Sequence, residues 1–319
     1  MRFKKMVEQL MNTTVKDMPY ILVPSYRRPD FVFAEKILSQ FTDEGLQKVI
    51  IFVRDEQYKE YKQQNPKLQY ERIPTGAVDG VGSTRNYLLN FAIENKMPVV
   101  MDMDDDVRHL QFIYNKNHDT TGEIVSKHSV MRHWEKYPHL PQLVLQLTGK
   151  ISREIFAEHP NVMLGNVRKQ RFSNHRACGE IKYMINKGPT PRQTKILNVK
   201  GCKKNNLWVP EEFNLHGDDI GFAAEVLQRG FDCFNIPCLC YDYVNEKENS
   251  VVRDPHNEEA NRWLHKLEYD ALMNMEIGKQ GYLRETFKFA DGQYMFGDIN
   301  WQKYHKYHKT KPIIKEWEI

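Results

Sequence analysis

The sequence predicts an α/β fold with a largely parallel sheet, and two observations carry this prediction. Short apolar runs rich in Val and Ile alternate with longer amphipathic stretches through the first hundred residues, which is the pattern of strands alternating with helices. Glycine, proline or aspartate residues close most of the apolar runs, as expected where a strand ends in a turn. The 319 residues, 40% hydrophobic and 12% aromatic, are enough to build the core of such a fold.

The elements of the first half each follow from a short stretch of sequence. Four apolar, β-branched segments are predicted strands: 19–25, 48–55, 68–74 and 98–104. Three segments between them follow a helical period: 30–41, 56–65 and 80–96. Asp30 is well placed near the N-terminus of the first of these helices.

The second half is less regular. Segments 139–149 and 151–158 are ambiguous, and 163–207 is expected to be rich in loops and strongly basic. A helix is predicted at 218–230, where Asp218 or Asp219 caps the N-terminus and Gly230 ends it. Segment 231–243 is a predicted strand and 257–279 a predicted long helix. We therefore expect two parts: a catalytic domain at 1–256 and a helical, basic and aromatic extension at 257–319.

A cluster of aspartates follows the predicted strand at 98–104. Asp102, Asp104, Asp105 and Asp106 lie within five positions, and so many like charges repel one another unless something positive compensates them. One interpretation is an exposed acidic turn, and the other is a site for Mg²⁺ or Mn²⁺, which prefer oxygen ligands. Strand alternation is expected to turn Asp104 and Asp106 to one side and Asp105 to the other.

A glycine turn opens the predicted helix at 80–96. Ser83, Thr84 and Arg85 follow Gly80 and Gly82, and a helix N-terminus beside an arginine is suited to bind an anion. The turn lacks the Gly-Lys-Ser/Thr ending of a phosphate-binding P-loop, and no GxGxxG follows the first strand. Ordinary nucleotide triphosphatases and dinucleotide-binding enzymes are thereby disfavoured.

Cysteine usage and hydropathy indicate where the protein acts. The five cysteines include no CxxC pair, so neither a zinc site nor a disulfide framework is indicated. The N-terminal segment is too polar for a signal peptide, and we find no apolar run of membrane-spanning length. The expected location is the cytoplasm, with no membrane and no evident protein partner.

Four motifs together resemble the GT-A glycosyltransferases. They are VPSYRRP at the first strand, GVGSTRN at the helix start, MDDD at the strand end and HGDDIGFAAEVLQRGF further on, and the resemblance covers about residues 20–243. Their order is similar to that of inverting enzymes that use nucleotide sugars. The resemblance implies a Rossmann-like mixed sheet flanked by helices, here with a C-terminal helical extension.

The resemblance also implies roles for particular residues. Asp104 and Asp106 would form the DxD motif that binds Mn²⁺ or Mg²⁺, with Asp104 and Asp105 near the donor, which is expected to be a UDP-sugar. Asp219 would be the general base, although Asp218 stands where the family usually has Glu. A late histidine often adds a metal ligand; we take His256, with His216, His265 and His305 as competitors. The nucleotide pocket would be lined by Pro24, Ser25, Tyr26, Arg27 and Arg85.

The acceptor is inferred from charge. Between residues 168 and 204 there are eleven basic residues and one acidic one, which favours a polyanionic acceptor beside the active site. Such an enzyme resembles the phage DNA-base glycosyltransferases, including the TET-associated glycosyltransferases, which would imply a hydroxymethylated pyrimidine in double-stranded DNA and an infected bacterial cell. The expected DNA-binding residues are Arg168, Lys169, Arg171, Arg176, Lys203 and Lys204.

Other functions stay open at this point. A cytosolic glycosyltransferase acting on a polysaccharide, a lipid-linked acceptor or a protein has the same donor chemistry. A nucleotidyltransferase also uses acidic metal ligands, but it usually carries an early glycine-rich loop with a lysine, which we do not find. A basic protein that only binds nucleic acid is the third alternative, and the clustered aspartates argue against it because they repel phosphate.

Overall fold

The structure is a computed structural model of the chain. It describes residue 8 and residues 11–112, 139–169, 182–243, 258–288 and 294–317. Within these ranges the protein is a mixed α/β structure with one large sheet and a two-stranded antiparallel hairpin. None of the helices in these ranges is long and apolar enough to span a lipid bilayer.

Ten of the described strands form the large sheet. In spatial order it runs β12-β7-β9-β6-β8-β4-β1-β2-β3, and β5 pairs with β9. Strands β10 and β11 form the hairpin. The strands are β1 (Tyr20–Pro24), β2 (Val49–Arg54), β3 (Gln69–Ile73), β4 (Val99–Met103), β5 (Val107–Phe112), β6 (Val162–Lys169), β7 (Lys182–Ile185), β8 (Thr194–Asn198), β9 (Asp232–Tyr243), β10 (Leu283–Lys288), β11 (Tyr294–Ile299) and β12 (Ile313–Glu316).

The sheet is mixed, so the expectation of a largely parallel sheet is wrong beyond its first four strands. Strands β3, β2, β1 and β4 pair in parallel. Strand β8 then lies antiparallel between β4 and β6. The alternation of strand and helix that predicts parallel pairing stops after β4, and the later strands do not follow it. The mixed sheet flanked by helices agrees with the architecture that the motifs imply.

The helices cover both faces of the sheet. They are α1 (Val32–Lys36), α2 (Asp43–Leu46), α3 (Tyr58–Gln64), α4 (Val81–Glu94), α5 (Leu140–Glu158), α6 (Val199–Asn205), α7 (Asp218–Gln228), α8 (Glu258–Asn274), α9 (Glu276–Lys279) and α10 (Trp301–His308). The ambiguous stretch at 139–158 is the single helix α5, which carries Pro141 in its first turn, where a missing N–H costs nothing.

Alternate residues of the central strands enter two separate cores. Ile21 and Met101 pack with α1, α3 and α5 on one face, whereas Leu22 and Val100 pack with α4, α6 and α7 on the other. This follows from the two-residue period of a strand. The same period decides which face receives each aspartate at the end of β4.

The segment at 163–207 is ordered where the structure describes it. We expected it to be rich in loops, but it contributes β6, β7, β8 and α6. The expectation of loops is wrong because the many basic residues make the short apolar runs between them hard to recognise as strands. In β8, for example, Ile196 and Leu197 are buried beside Lys195, which is itself 2% exposed. The charge of Lys195 is compensated by Asp102 and Asp218, so this lysine does not mark a solvated surface.

The C-terminal segment contributes to the large sheet. Strand β12 pairs antiparallel with β7, and Leu272, Ile277 and Tyr304 belong to the same core as α4 and α7. The expected division at residue 257 lies next to residues 244–257, which are outside the described ranges, and it stays a prediction.

The start of α4 is held by the chain that precedes α7. The N–H of Gly82 donates to the carbonyl oxygen of Asn214 at 3.0 Å, and the N–H of Ser83 donates to its side-chain oxygen at 2.7 Å. A Cβ on Gly82 would lie 2.9 Å from the backbone oxygen of Phe213 and from the Cα of Asn214. Gly82 is therefore needed for close approach.

We predict that Gly82→Ala destabilises the protein, although alanine favours helices over glycine by about 1 kcal/mol. The added methyl overlaps backbone atoms at 213–214, and overpacking of this kind costs about 1–3 kcal/mol. Urea denaturation followed by circular dichroism measures the change. Asn90→Ala, on the exposed face of α4, is the control for helix propensity. A Gly82→Ala protein as stable as the control would contradict the prediction.

Candidate active site

The candidate site lies at the carboxyl ends of β1 and β4. These neighbours are parallel, with Leu22 beside Asp102, so the turn after Pro24 and the aspartates after Met103 share one edge of the sheet. This is the edge at which α/β sheets bind ligands. The α7 N-terminus, with Asp218 and Asp219, faces the same edge.

A buried guanidinium binds three of the carboxylates. Arg85 donates to Asp102 at 2.5 Å, to Asp218 at 3.1 Å and, in a shorter contact, to Asp104. Lys195 adds a second cation, with its Nζ atom 3.2 Å from Asp218 and 3.6 Å from Asp102. The charges of Asp102, Asp104 and Asp218 are thus compensated by cations of the protein itself.

The protonation states of this network are fixed by mutual attraction. Burial alone lowers the pKa of Arg85, but the three carboxylates around it raise that pKa well above its usual value. Burial raises the pKa of Asp218, yet Lys195 and Arg85 lower it by more, so its pKa lies below the usual value. Asp218 is therefore a carboxylate at neutral pH, and it forms ion pairs with both Arg85 and Lys195.

Asp105 belongs to the opposite face of the sheet. It accepts a hydrogen bond from the Ser25 hydroxyl at 2.5 Å and pairs with Arg28 at 2.8 Å. Tyr61 bonds to Ser25 at 2.8 Å, and burial raises the pKa of its phenol to about 12. The predicted alternation is confirmed for Asp104 and Asp105. The hydrogen bond between Ser25 and Asp105 stabilises the turn that follows β1. The sequence alone does not predict this contact.

A cavity of about 190 Å³ opens beside the buried network. Asp219 is 19% exposed at its side chain and lies 3.9 Å from Arg192; Asp104 is 26% exposed. The described lining contains four carboxylates and three cations. It consists of Arg85, Asp104, Arg192, Gln193, Lys195, His216, Gly217, Asp218, Asp219, His265 and Glu268.

Gly217 sets the direction in which the two α7 aspartates point. It has a φ of 76°, in the left-handed region that favours glycine. Asp218 turns inward to the buried network, whereas the Asp219 carboxylate accepts a hydrogen bond from the N–H of Ile220 at 2.8 Å and lies at the cavity. Adjacent carboxylates therefore stand in different environments.

The expected anion site at the start of α4 is not present in the described structure. The N–H groups of Gly82 and Ser83 are bonded to Asn214, and Arg85 is turned into the network. Asn214, far away in sequence, occupies the position in which we expected a ligand. Arg85 does line the cavity, but its guanidinium already contacts three carboxylates.

The other expected nucleotide residues lie at the right edge, outside the lining of the cavity. Pro24 ends β1. Tyr26 is half-buried and Arg27 is exposed, with its guanidinium 4.9 Å from the centre of the Tyr26 ring. Arg27 has a φ of 55°, which is uncommon for a residue with a side chain. Their role in nucleotide binding stays a prediction.

None of the four expected DNA-binding residues that the structure describes lines the cavity. Arg168 is only 9% exposed in β6, and Lys169 ends that strand. Lys203 and Lys204 lie on α6, which begins after Asn198, at the end of β8 opposite Lys195. Three further expected residues are outside the described ranges: Arg171 and Arg176 for DNA, and His256 for metal.

The candidate metal ligands are divided between two places. Asp104 is at the cavity, and the half-buried Asp106 is not among the described lining residues. Of the competing histidines, His216 and His265 line the cavity, while His305 bonds to the carbonyl oxygen of Asn186 at 2.8 Å. The HGDD motif contains His216, so its position beside the α7 aspartates was visible in the sequence.

Residues 20–151 match the model of a known glycosyltransferase family. The family is described as TET-Associated Glycosyltransferase, or TAGT. The matched segment is less than half of the chain; it runs from β1 into α5 and includes Ser25, Arg85 and the aspartates at 102–106.

Solved glycosyltransferase structures are similar to the chain at low identity. The 1-349 fragment of S. aureus TarS is 14% identical, with a TM-score of 0.40 over 80% of this chain, which spans 65% of that fragment. The complex of this fragment with UDP is also 14% identical. Its TM-score is 0.42, and the similarity covers 81% of this chain and 67% of the fragment. The mannosyltransferase PcManGT of Pyrobaculum calidifontis, in complex with GDP-Man and Mn²⁺, is also 14% identical. Its TM-score is 0.45, and the similarity covers 87% of this chain and 70% of PcManGT. A search of curated proteins finds no significant match.

We predict that Asp218→Asn lowers the free energy of unfolding by about 3–5 kcal/mol at neutral pH, because it removes the buried carboxylate that both Arg85 and Lys195 contact. Since the pKa of Asp218 is lowered on folding, its contribution is present above the unfolded value of about 3.9 and is lost as the pH falls below it. The substitution should therefore also flatten the acid limb of the stability curve.

The control for Asp218→Asn is Asp270→Asn. Asp270 pairs with Lys266 on the exposed side of α8, and exposed pairs contribute about 0–1 kcal/mol. Urea titrations of both variants between about pH 7 and pH 3 make the comparison. Equal stability of the two variants at every pH would show that the buried network does not depend on Asp218.

Proposed function

We propose that the protein is an inverting, metal-dependent glycosyltransferase. It moves a sugar from a nucleoside-diphosphate sugar, with UDP as the nucleotide, to the hydroxyl of a hydroxymethylated pyrimidine in phage DNA, in the cytoplasm of the infected cell. The main support for the proposal is that Asp104 and Asp219 line the same cavity, next to the buried ionic network. The class of enzyme comes from the family match.

Asp219 is the proposed general base. A single displacement forms a bond between the acceptor oxygen and the anomeric carbon, while the bond from that carbon to the diphosphate oxygen breaks and its electron pair leaves with the nucleotide. The acceptor proton must go to a base in contact with the cavity. Asp219 meets this condition, with one nearby cation, Arg192, at 3.9 Å. Asp218 also lines the cavity, but its carboxylate is bonded to both Arg85 and Lys195 and is therefore a poorer proton acceptor.

Asp104 and Asp106 are the proposed ligands of Mn²⁺ or Mg²⁺. Their carboxylate oxygens are of the type that these ions prefer, and Asp104 reaches the cavity. The described lining has one more carboxylate than cations, so a diphosphate would meet net repulsion without an added cation. When bound, the ion would compensate the charge of the departing diphosphate. Pro24, Tyr26 and Arg27, at the same edge, are the proposed contacts for the nucleotide.

The DNA acceptor is supported by the kind of family that residues 20–151 match and by the basic composition of residues 168–204. The described part of that segment offers less basic surface than its composition suggests, because Lys195 and Arg168 are buried. A base in a duplex would have to leave the stack for its hydroxymethyl oxygen to reach the cavity. A polysaccharide, a lipid-linked acceptor or a protein is the alternative acceptor.

A transfer assay tests donor and acceptor together. Purified protein is incubated with a panel of nucleotide sugars, Mn²⁺ or Mg²⁺, and DNA that contains either ordinary or hydroxymethylated cytosine, and the nucleosides are analysed by mass spectrometry. We expect a hexose or pentose mass only on the hydroxymethylated base, and none after chelation of the metal. Metal-dependent hydrolysis of a nucleotide sugar without addition to DNA would instead favour the alternative acceptors. Absence of both signals would contradict the proposed reaction.

We predict that Asp219→Asn lowers the transfer rate by about 10²–10⁴-fold, the usual contribution of a general base, with little effect on donor affinity. The amide keeps the shape of the side chain but cannot take the acceptor proton. Glu225→Gln, a half-exposed position on the same helix, is the matched control and should retain the wild-type rate. A near-normal rate for Asp219→Asn would place the base elsewhere.

A further inference from the structure

Three potential metal ligands converge in the wall of the cavity, apart from the aspartates after β4. The Nε2 atom of His216 lies 3.1 Å from the Nδ1 atom of His265 and 3.1 Å from a carboxylate oxygen of Glu268. All three ligand atoms lie within 4.8 Å of one another, and within the described residues they form a group of the kind that holds metal ions.

The backbone brings these side chains together in two ways. His265 and Glu268 are three residues apart on α8, so they share one face of the helix. His216 comes from the turn before α7, where the backbone at Gly217 packs directly on α8: a Cβ on Gly217 would lie 2.7 Å from the Cγ atom of Glu268. The group therefore joins two helices rather than lying on one mobile loop.

The His216 Nε2 atom faces two possible acceptors at the same distance. One hydrogen on this atom would have to be shared between His265 and Glu268. If the Nε2 atom is instead the acceptor from His265, it faces a carboxylate oxygen at 3.1 Å with no hydrogen between them. A cation placed among the three lone pairs satisfies all of them at once.

We propose that His216, His265 and Glu268 form a site for one divalent transition-metal ion. Two imidazoles and a carboxylate are a ligand set typical of Zn²⁺ and of iron, with an open coordination position. Imidazole disfavours Mg²⁺ relative to those ions. With ligand bonds of about 2.0–2.2 Å, neighbouring ligand atoms of a tetrahedral or octahedral site lie about 3.0–3.5 Å apart. The two separations from the His216 Nε2 atom, 3.1 Å each, match this range, and all three ligand atoms lie within 4.8 Å of one another.

The site would connect the metal to the geometry of the α7 aspartates. His216 is two residues before Asp218 and three before Asp219. The backbone at the intervening Gly217 has a positive φ that would strain any residue with a side chain. An ion that fixes His216 against α8 would therefore hold the turn from which both aspartates project. This ion is distinct from the one proposed at Asp104 and Asp106, and its presence does not depend on the donor or on the transfer reaction.

The test is metal binding by the full chain without nucleotide sugar. Metal-free protein is titrated with Zn²⁺ against a chromogenic chelator and with Co²⁺ by its visible absorption. We expect one ion per chain, with a Co²⁺ spectrum typical of nitrogen and oxygen ligands and no displacement by excess Mg²⁺. His265→Asn and Glu268→Gln should each weaken Zn²⁺ binding by at least about 100-fold, since even residues that only support a ligand contribute about 10–100-fold.

Two control variants separate this site from other histidines and from the donor metal. His305→Ala changes a half-buried histidine elsewhere, and Asp106→Asn changes a proposed ligand of the donor metal; both should bind Zn²⁺ as the wild type does. Circular dichroism and urea unfolding establish that the His265→Asn and Glu268→Gln proteins are folded.

Three results would overturn the proposal: no stoichiometric Zn²⁺ on the wild type, wild-type affinity in both ligand variants, or loss of Zn²⁺ only in Asp106→Asn. The outcome is independent of the transfer assay. Sugar transfer without Zn²⁺ binding would reject this site and keep the proposed function, whereas Zn²⁺ binding without transfer would do the reverse.

Discussion

The buried guanidinium of Arg85 is the interaction on which the rest of the site depends. A charge removed from water is costly unless it is paired and fully hydrogen-bonded, and here each of the three donating nitrogens contacts a different carboxylate. Those carboxylates come from the end of β4 and the start of α7. One side chain on α4 therefore fixes the distance between two elements that are more than a hundred residues apart in the sequence.

This arrangement gives neighbouring carboxylates different chemistry. Asp102 and Asp218 are buried and paired with Arg85 and Lys195, whereas the side chains of Asp104 and Asp219 are partly exposed at the cavity. The difference arises from geometry alone, because all four are the same residue type. Gly217 contributes by letting the chain turn sharply enough for Asp218 to point inward and Asp219 outward.

The fold class, the edge of the sheet at which the site lies and the helix at 218–230 could be predicted from the sequence, because they depend on local hydropathy and on turn residues. Lys195, Arg192, Arg28 and Asn214 could not be predicted as parts of the site. Their positions depend on which distant strand pairs with β4 and on which loop packs against α4. The composition around Lys195 indicates surface charge, because its partners Asp102 and Asp218 are distant in sequence. The i, i+3 spacing of His265 and Glu268 is a signal in the sequence that the two side chains share one helix face.

The density of the ionic network has a consequence for how the sequence can diverge. Asp102, Asp218, Arg85 and Lys195 compensate one another at close range, so a substitution at one position changes what is tolerated at the other three. Single replacements at these positions are therefore restricted. A different set of charged residues can arise only by paired substitutions that keep the opposite charges together. In a set of distant relatives, these four positions should vary together, with covariation linking the first half of the chain to the second.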